Sequence, residues 1–238
     1  MNINILQQAP DQPDISGRYL FYLHGLIVEE AGVRPRSEEH GYYEYHQILE
    51  ELAGKGFVVI SEARPQGTQI KPYAEKIAAQ IRALLAHGVA PANITVAGAS
   101  KGGIITAYIS AMFRNREIHF VFLAGLFEKC LQDPELKLYG HVLSIHDRAE
   151  KQSMTPSLYF QRSQGLGEFK EMIVGLDLGH GLLVFALAIQ GESGGLHVAP
   201  FVAQGFDAAL CRHRYLVENG VPQAKPPRTN NALRSLAP

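Results

Sequence analysis

The stretch Ile94-Thr95-Val96-Ala97-Gly98-Ala99-Ser100-Lys101-Gly102-Gly103 decides how this chain is read. Its first four residues are apolar or β-branched and fit a short buried strand. The run 103–114 is small and apolar and fits a helix. Between them lies Gly-x-Ser-x-Gly. A serine on a tight strand-to-helix turn has a strained backbone and projects its hydroxyl above the sheet. Glycines two before and two after it keep side chains from clashing across the turn. The helix start beneath favours developing negative charge. Ser100 is therefore the candidate nucleophile, and Gly98 and Gly102 are the residues that permit its turn.

The chain carries its own control, a second match at Gly191-Glu192-Ser193-Gly194-Gly195. Ser193 is followed by Leu196-His197-Val198-Ala199-Pro200, a poor helix start. Beyond it, Asp207 and His213 leave no room for intervening strands and helices. Context selects Ser100.

Outward from Ser100, apolar runs alternate with helical patterns. Tyr19–Leu23 and the runs 57–61, 118–123, 141–145 and 170–174 read as strands. The segments 42–55 and 71–87 read as helices, the latter with Ile77, Ile81, Leu84 and Leu85 on one face and Gly88 as its stop. Residues 1–17 read as an irregular lead-in and 26–41 as a long loop. This alternation predicts an α/β fold, a mainly parallel sheet flanked by helices on both faces. Residues 1–190 form the expected domain. Residues 191–238, rich in Gly and Pro, form a divergent and partly disordered tail.

Composition bounds the function. The chain has 238 residues, 46% apolar and 19% charged, enough for a core without staples. Lys plus Arg total 22 and Asp plus Glu 23, a net charge of −1, so no basic excess points to nucleic acid. The longest apolar run, 182–189, is too short to cross a bilayer as a helix, and no membrane partner is expected. The first eight residues show neither a basic nor a long apolar region, so no signal peptide is expected. Two distant cysteines, Cys130 and Cys211, fit a reducing cytoplasm.

A serine hydroxyl needs a base, and the base needs an orienting acid. In an elbow arrangement the order is Ser, then Asp or Glu, then His. Asp147 follows the strand 141–145, and His180 follows the next strand between Gly179 and Gly181. Ser100, Asp147 and His180 thus form the expected triad. Glu150, three residues past Asp147, and Asp177, three before His180, are the competing acids. An oxyanion needs two backbone donors. Lys101 N–H follows the nucleophile, and Leu26 N–H, with Gly25 as the fallback, lies just past His24-Gly25 at the end of the first strand. His24 reads as a loop organiser.

The set Leu23-His24-Gly25, Gly98-Ala99-Ser100-Lys101-Gly102, Ser144-Ile145-His146-Asp147 and Gly179-His180-Gly181 resembles the α/β-hydrolase superfamily, in particular its small bacterial members. The resemblance runs over residues 18–183. It implies a nucleophilic serine, a two-step acyl-enzyme mechanism and neither metal nor organic cofactor. It leaves the substrate open. The expected reaction is hydrolysis of a small carboxylic ester or related acyl bond. The alternatives are an acyltransferase with the same triad and a non-catalytic small-molecule-binding protein on the same scaffold. In two respects the chain departs from the family. The segment after His180 is apolar all round instead of amphipathic, and only about fifteen residues separate Gly125 from His141, too few for a substantial lid.

Other features are weaker. His40 and Glu44, four apart, lack a third metal ligand. Lys101, Arg64 and Lys71 read as surface charges or as a positive rim to the site. Gly-x-Gly-x-x-Gly after a strand and Gly-x4-Gly-Lys-Ser/Thr are both missing, which excludes nicotinamide and P-loop readings.

Overall fold

The computed structural model describes residues 4–38, 41–150, 157–174 and 179–180. One sheet holds seven strands: β1 (Ile5–Leu6), β2 (Tyr19–Leu23), β5 (Val58–Ile60), β6 (Ile94–Ala99), β7 (His119–Leu123), β8 (Tyr139–Asp147) and β9 (Gly165–Val174). Their order is β1-β5-β2-β6-β7-β8-β9, and every neighbouring pair is parallel. A separate two-stranded antiparallel ribbon pairs β3 (Arg36–Ser37) with β4 (Gly41–Tyr42).

Strand β2 shows why the sheet is covered on both sides. Its alternate residues Tyr19, Phe21 and Leu23 join one apolar cluster, and Leu20 and Tyr22 join the other. The first cluster takes in Ile77 and Ile81 of helix α3 (Ile70–Ala86), Ile105 and Ile109 of α4 (Lys101–Phe113), and Tyr159 of α5 (Ser157–Arg162). The second takes in Val28 of α1 (Leu26–Ala31) and Ile48 and Leu49 of α2 (Tyr45–Gly54). Helix α3 ends in a Schellman motif: Gly88, at φ 95°, donates to Leu85 O, and Val89 donates to Leu84 O.

The differences from the sequence reading are local. The segment 26–41 is not one long loop, because it holds α1 and the β3–β4 ribbon. These elements span only two to six residues, too short for a period to register. Ile5–Leu6, placed in the irregular lead-in, is an edge strand beside β5. Strand β8 runs on to Asp147 instead of stopping at Ile145, which bears directly on the site. The segment between β7 and β8 carries a short 3₁₀ turn, Glu128–Gln132. Gly181, the run 182–189, Asp177, Ser193, Cys211 and the tail 191–238 lie outside the described residues. No helix among the described residues is long and apolar enough to cross a membrane.

Candidate active site

Ser100 stands between β6 and α4 at φ 49° and ψ −115°. A positive φ on a non-glycine residue is strained and is held only where the surroundings fix it. Here Ser100 N–H donates to Leu123 O at 3.0 Å and Gly103 N–H donates to Ser100 O at 2.8 Å. The flanking glycines are required by packing. A Cβ on Gly98 would lie 2.3 Å from Gly102 O, and one on Gly102 would lie 1.9 Å from Leu23 O. Backbone occupies both spaces, so no side chain at either position can be accommodated by a rotamer change.

His180 reaches this turn from beyond β9. Its Nε2 lies 2.9 Å from Ser100 Oγ, and its Nδ1 lies 2.7 Å from Glu150 Oε2. A carboxylate accepts only, so Nδ1 carries the proton and Nε2 is left to accept from the serine hydroxyl. The Glu150 side chain is 1% exposed, and the His180 side chain 30%. Gly179, at φ 53°, brings the histidine in beside residue 149, where a Cβ would meet Ala149 O at 3.3 Å.

Of the candidate acids, Glu150 and not Asp147 faces the imidazole. Asp147 is the last residue of β8, in register with Val174, and is fully buried. Its Oδ1 accepts from Ala149 N–H at 2.8 Å and from Gly179 N–H at 3.1 Å. The first is an Asx turn. A second turn bond, Glu150 N–H to Asp147 O at 3.0 Å, closes the same bend. Asp147 thus folds the loop and ties it to the histidine segment, and the bend delivers Glu150 to the imidazole. Strand β8 ends at Asp147, and the turn after it brings Glu150 to His180. Ser100, Glu150 and His180 follow the chain order expected of a triad.

On the other side of Ser100, β2 ends at His24-Gly25 and α1 begins at Leu26. A Cβ on Gly25 would sit 3.6 Å from Ser100 Cβ, so this segment passes directly beside the nucleophile. His24 is fully buried, and both of its ring nitrogens are engaged. Nε2 accepts from Arg64 N–H at 2.8 Å, which leaves Nδ1–H to donate to Gly25 O at 2.8 Å. Gly25 C=O and Leu26 N–H belong to one planar trans peptide and point in opposite directions. The bond from His24 therefore orients the Leu26 N–H. Burial and the nearby Arg64 charge push the His24 pKa down to about 4, so the ring is neutral at pH 7 and keeps an acceptor for Arg64 N–H.

Arg64 and Lys101 are not the surface charges that the sequence reading allowed. The Arg64 side chain is fully buried, and its Nε pairs with Glu29 Oε1 at 2.8 Å, while its Nη2 donates to His24 O. Lys101 turns inward: its Nζ pairs with Glu29 Oε2 at 2.6 Å and donates to Thr68 O at 2.7 Å. Glu29 carried no signal in the sequence because α1 went unread. Lys71 pairs with Asp133 at 3.1 Å. Glu44, one of the two weak metal candidates, is bound by Arg34 at 2.6 Å, and His40 lies outside the described residues. Beyond Ser100, α4 borders a cavity of about 710 Å³ whose wall includes Ile104 and Tyr108, one and two turns along the helix.

Comparisons with known proteins bear on the fold. No protein-family model matches the sequence, and no curated protein matches it. Among solved structures, esterase B from Lactobacillus rhamnosis, studied with a tributyrin phosphonate, superposes with a TM-score of 0.51 at 13% identity, over 87% of this chain and 80% of that one. An alpha/beta hydrolase enzyme from a Mar Chica lagoon sediment metagenome gives 0.44 at 14% identity, over 90% and 94%. A lipase-esterase related protein from Clostridium acetobutylicum gives 0.44 at 15%, over 73% and 92%. The parallel seven-stranded sheet, the helices on both faces and the match to the Lactobacillus esterase agree, and the chain has an α/β-hydrolase-like fold.

Proposed function

We propose that the chain is a serine hydrolase acting on a small carboxylic ester or related acyl bond, with Ser100, His180 and Glu150 as its triad. The observation that carries this reading is the unbroken relay from Ser100 Oγ through both nitrogens of His180 to Glu150, at 2.9 and 2.7 Å, on a turn with positive φ. In this reading His180 Nε2 takes the Ser100 proton as Oγ attacks the acyl carbonyl. Glu150 holds the imidazole in the tautomer that makes Nε2 the base, then stabilises the imidazolium. Leu26 and Lys101 N–H groups receive the oxyanion. The protonated His180 gives its proton to the leaving alcohol. Water, deprotonated by His180, then releases the acid and restores Ser100.

Several features support a small substrate at an open site. Leu26 is 41% exposed. The segment between β7 and β8 carries only the short 3₁₀ turn. The Lactobacillus neighbour, studied with a phosphonate, supports the same class of chemistry. A scaffold that only binds does not need a serine within hydrogen-bond reach of an oriented histidine. Transfer to an acceptor other than water uses the same triad and is distinguished by product analysis with competing nucleophiles.

The test is labelling with a fluorophosphonate probe, followed by peptide mass spectrometry, on wild type and on Ser100→Ala. Modification at Ser100 that is lost in the variant supports the proposal. Folded wild type that takes no label overturns it.

A further inference from the structure

Glu29 has a position that the triad alone does not explain. Its side chain is fully buried, as is that of Arg64, and Lys101 is nearly so at 16% exposure. Burying charges costs several kcal/mol per ion by order of magnitude, and two apolar residues would pack as well. A buried ion pair is therefore weak grounds for stability and calls for another account. Topology offers one. Strands β5, β2 and β6 are neighbours in that order. Arg64 and Thr68 lie after β5, Glu29 after β2 and Lys101 after β6, and all of them meet at the Glu29 carboxylate or at the Lys101 ammonium.

Both expected oxyanion donors belong to this group. Leu26 N–H is three residues before Glu29 in the same helix, and Lys101 supplies the other N–H from its own backbone. We infer that Glu29 is a positioning residue, whose bridge to Lys101 Nζ holds the Leu26 segment in register with the turn after Ser100. The inference rests on the hydrolase reading. Donors act only when both lie about 2.7–3.1 Å from the oxyanion, so a displacement of either segment lowers the rate without removing a catalytic group.

Charge and position make opposite predictions here. The two cations and one carboxylate carry a net charge of +1. Glu29→Gln makes the site more positive, and Lys101→Met makes it less so. If the group acted only through its field, the first change would speed formation of an oxyanion and the second would slow it. If it positions the donors, both changes slow it.

The experiment measures para-nitrophenyl butyrate hydrolysis and inhibition by a trifluoromethyl ketone, which forms a tetrahedral adduct. It uses the full chain as wild type, Glu29→Gln, Lys101→Met, the double variant and Lys101→Arg. Active sites are counted by fluorophosphonate titration, so that loss of folded protein does not register as loss of rate. Each single variant is expected to lose about tenfold in kcat per titrated site, with KM changed less than about twofold and ketone affinity weakened by a similar factor. The double variant should lose no more than the worse single one, because both break one bridge. Lys101→Arg should recover part of the rate. Glu29→Gln with wild-type kcat and ketone affinity, or with a raised kcat, overturns the inference. Should Glu29→Gln fail to fold, Lys101→Met carries the same test, because it leaves the Arg64–Glu29 pair in place. Wild type that is neither titrated nor hydrolytic removes the hydrolase reading and this role with it. Titrated wild type with indifferent variants removes the role alone.

Discussion

The Ser100 turn and the loop 147–150 are built on different terms, although they meet at one histidine. The turn is fixed by five consecutive residues. Backbone atoms fill the places where side chains at Gly98 and Gly102 would go, and Ser100 is forced to φ 49° between them. The loop offers two buried carboxylates three residues apart, and either could in principle face an imidazole. Which one does is decided by where β8 ends and by a partner 32 residues away, Gly179 N–H. A motif set by local sterics survives translation into one dimension, and a role set by the path of a loop does not.

The largest test of this contrast is at its centre. Ser100→Ala should lower ester turnover by about 10⁵-fold or more with the fold intact, read by initial rates and circular dichroism. Retained turnover would remove Ser100 as nucleophile. Next come the two carboxylates. Glu150→Gln should lower kcat by about 10³–10⁴-fold, since it removes the charge that faces the imidazolium and favours the wrong tautomer. Asp147→Asn keeps an oxygen that can accept from Ala149 and Gly179 N–H, so its loss should stay within about tenfold. Reversal of this order would return the acid role to Asp147.

Glycine substitutions sharpen the same comparison in stability. In Gly102→Ala the new Cβ would meet a carbonyl at 1.9 Å, and neither β2 nor α4 can withdraw without opening the core. A loss of about 4 kcal/mol or more is expected in denaturant unfolding. In Gly179→Ala the nearest atom is 3.3 Å away, and the cost is mainly that of φ 53°, about 1–2 kcal/mol. Equal losses would mean that the loop is as tightly fixed as the turn.

These differences also explain what could be read from the sequence. The strands of the sheet centre, the helices α2, α3 and α4, the Ser100 turn and the His180 position follow from apolar runs, helical spacing and glycine placement. Ile5–Leu6, α1 and the β3–β4 ribbon are two to six residues long and owe their form to neighbours. Sequence does not separate Asp147 from Glu150 as the partner of His180, because a strand's last residues and a loop's first residues look alike. Arg64 and Lys101 read as surface charges or a positive rim, and Glu29 carries no signal, because their pairings are 35 and 72 residues apart. Only the adjacency of β5, β2 and β6 brings them together.

The smallest expected effect lies on the nucleophile side and concerns pH. His24 has a folded pKa of about 4 against an ordinary value of 6.5. Between those values the unfolded chain binds a proton that the folded chain refuses, so stability is complete above pH 6.5 and falls as pH drops toward 4. The proton would have to enter at Nε2, which already accepts from Arg64 N–H, and it would turn an acceptor into a second donor facing that N–H. From pH 8 to pH 5.5 this one group should cost about 1.4 kcal/mol in urea unfolding. In His24→Gln that part of the slope should vanish, because the amide does not titrate, whatever the variant's stability at pH 8. His180 is 30% exposed at its side chain and stands across Ser100 from this network, so Glu150→Gln should leave the His24 slope in place. A slope that survives His24→Gln would assign the acid sensitivity to another buried group and leave the Gly25–Leu26 peptide without its neutral anchor.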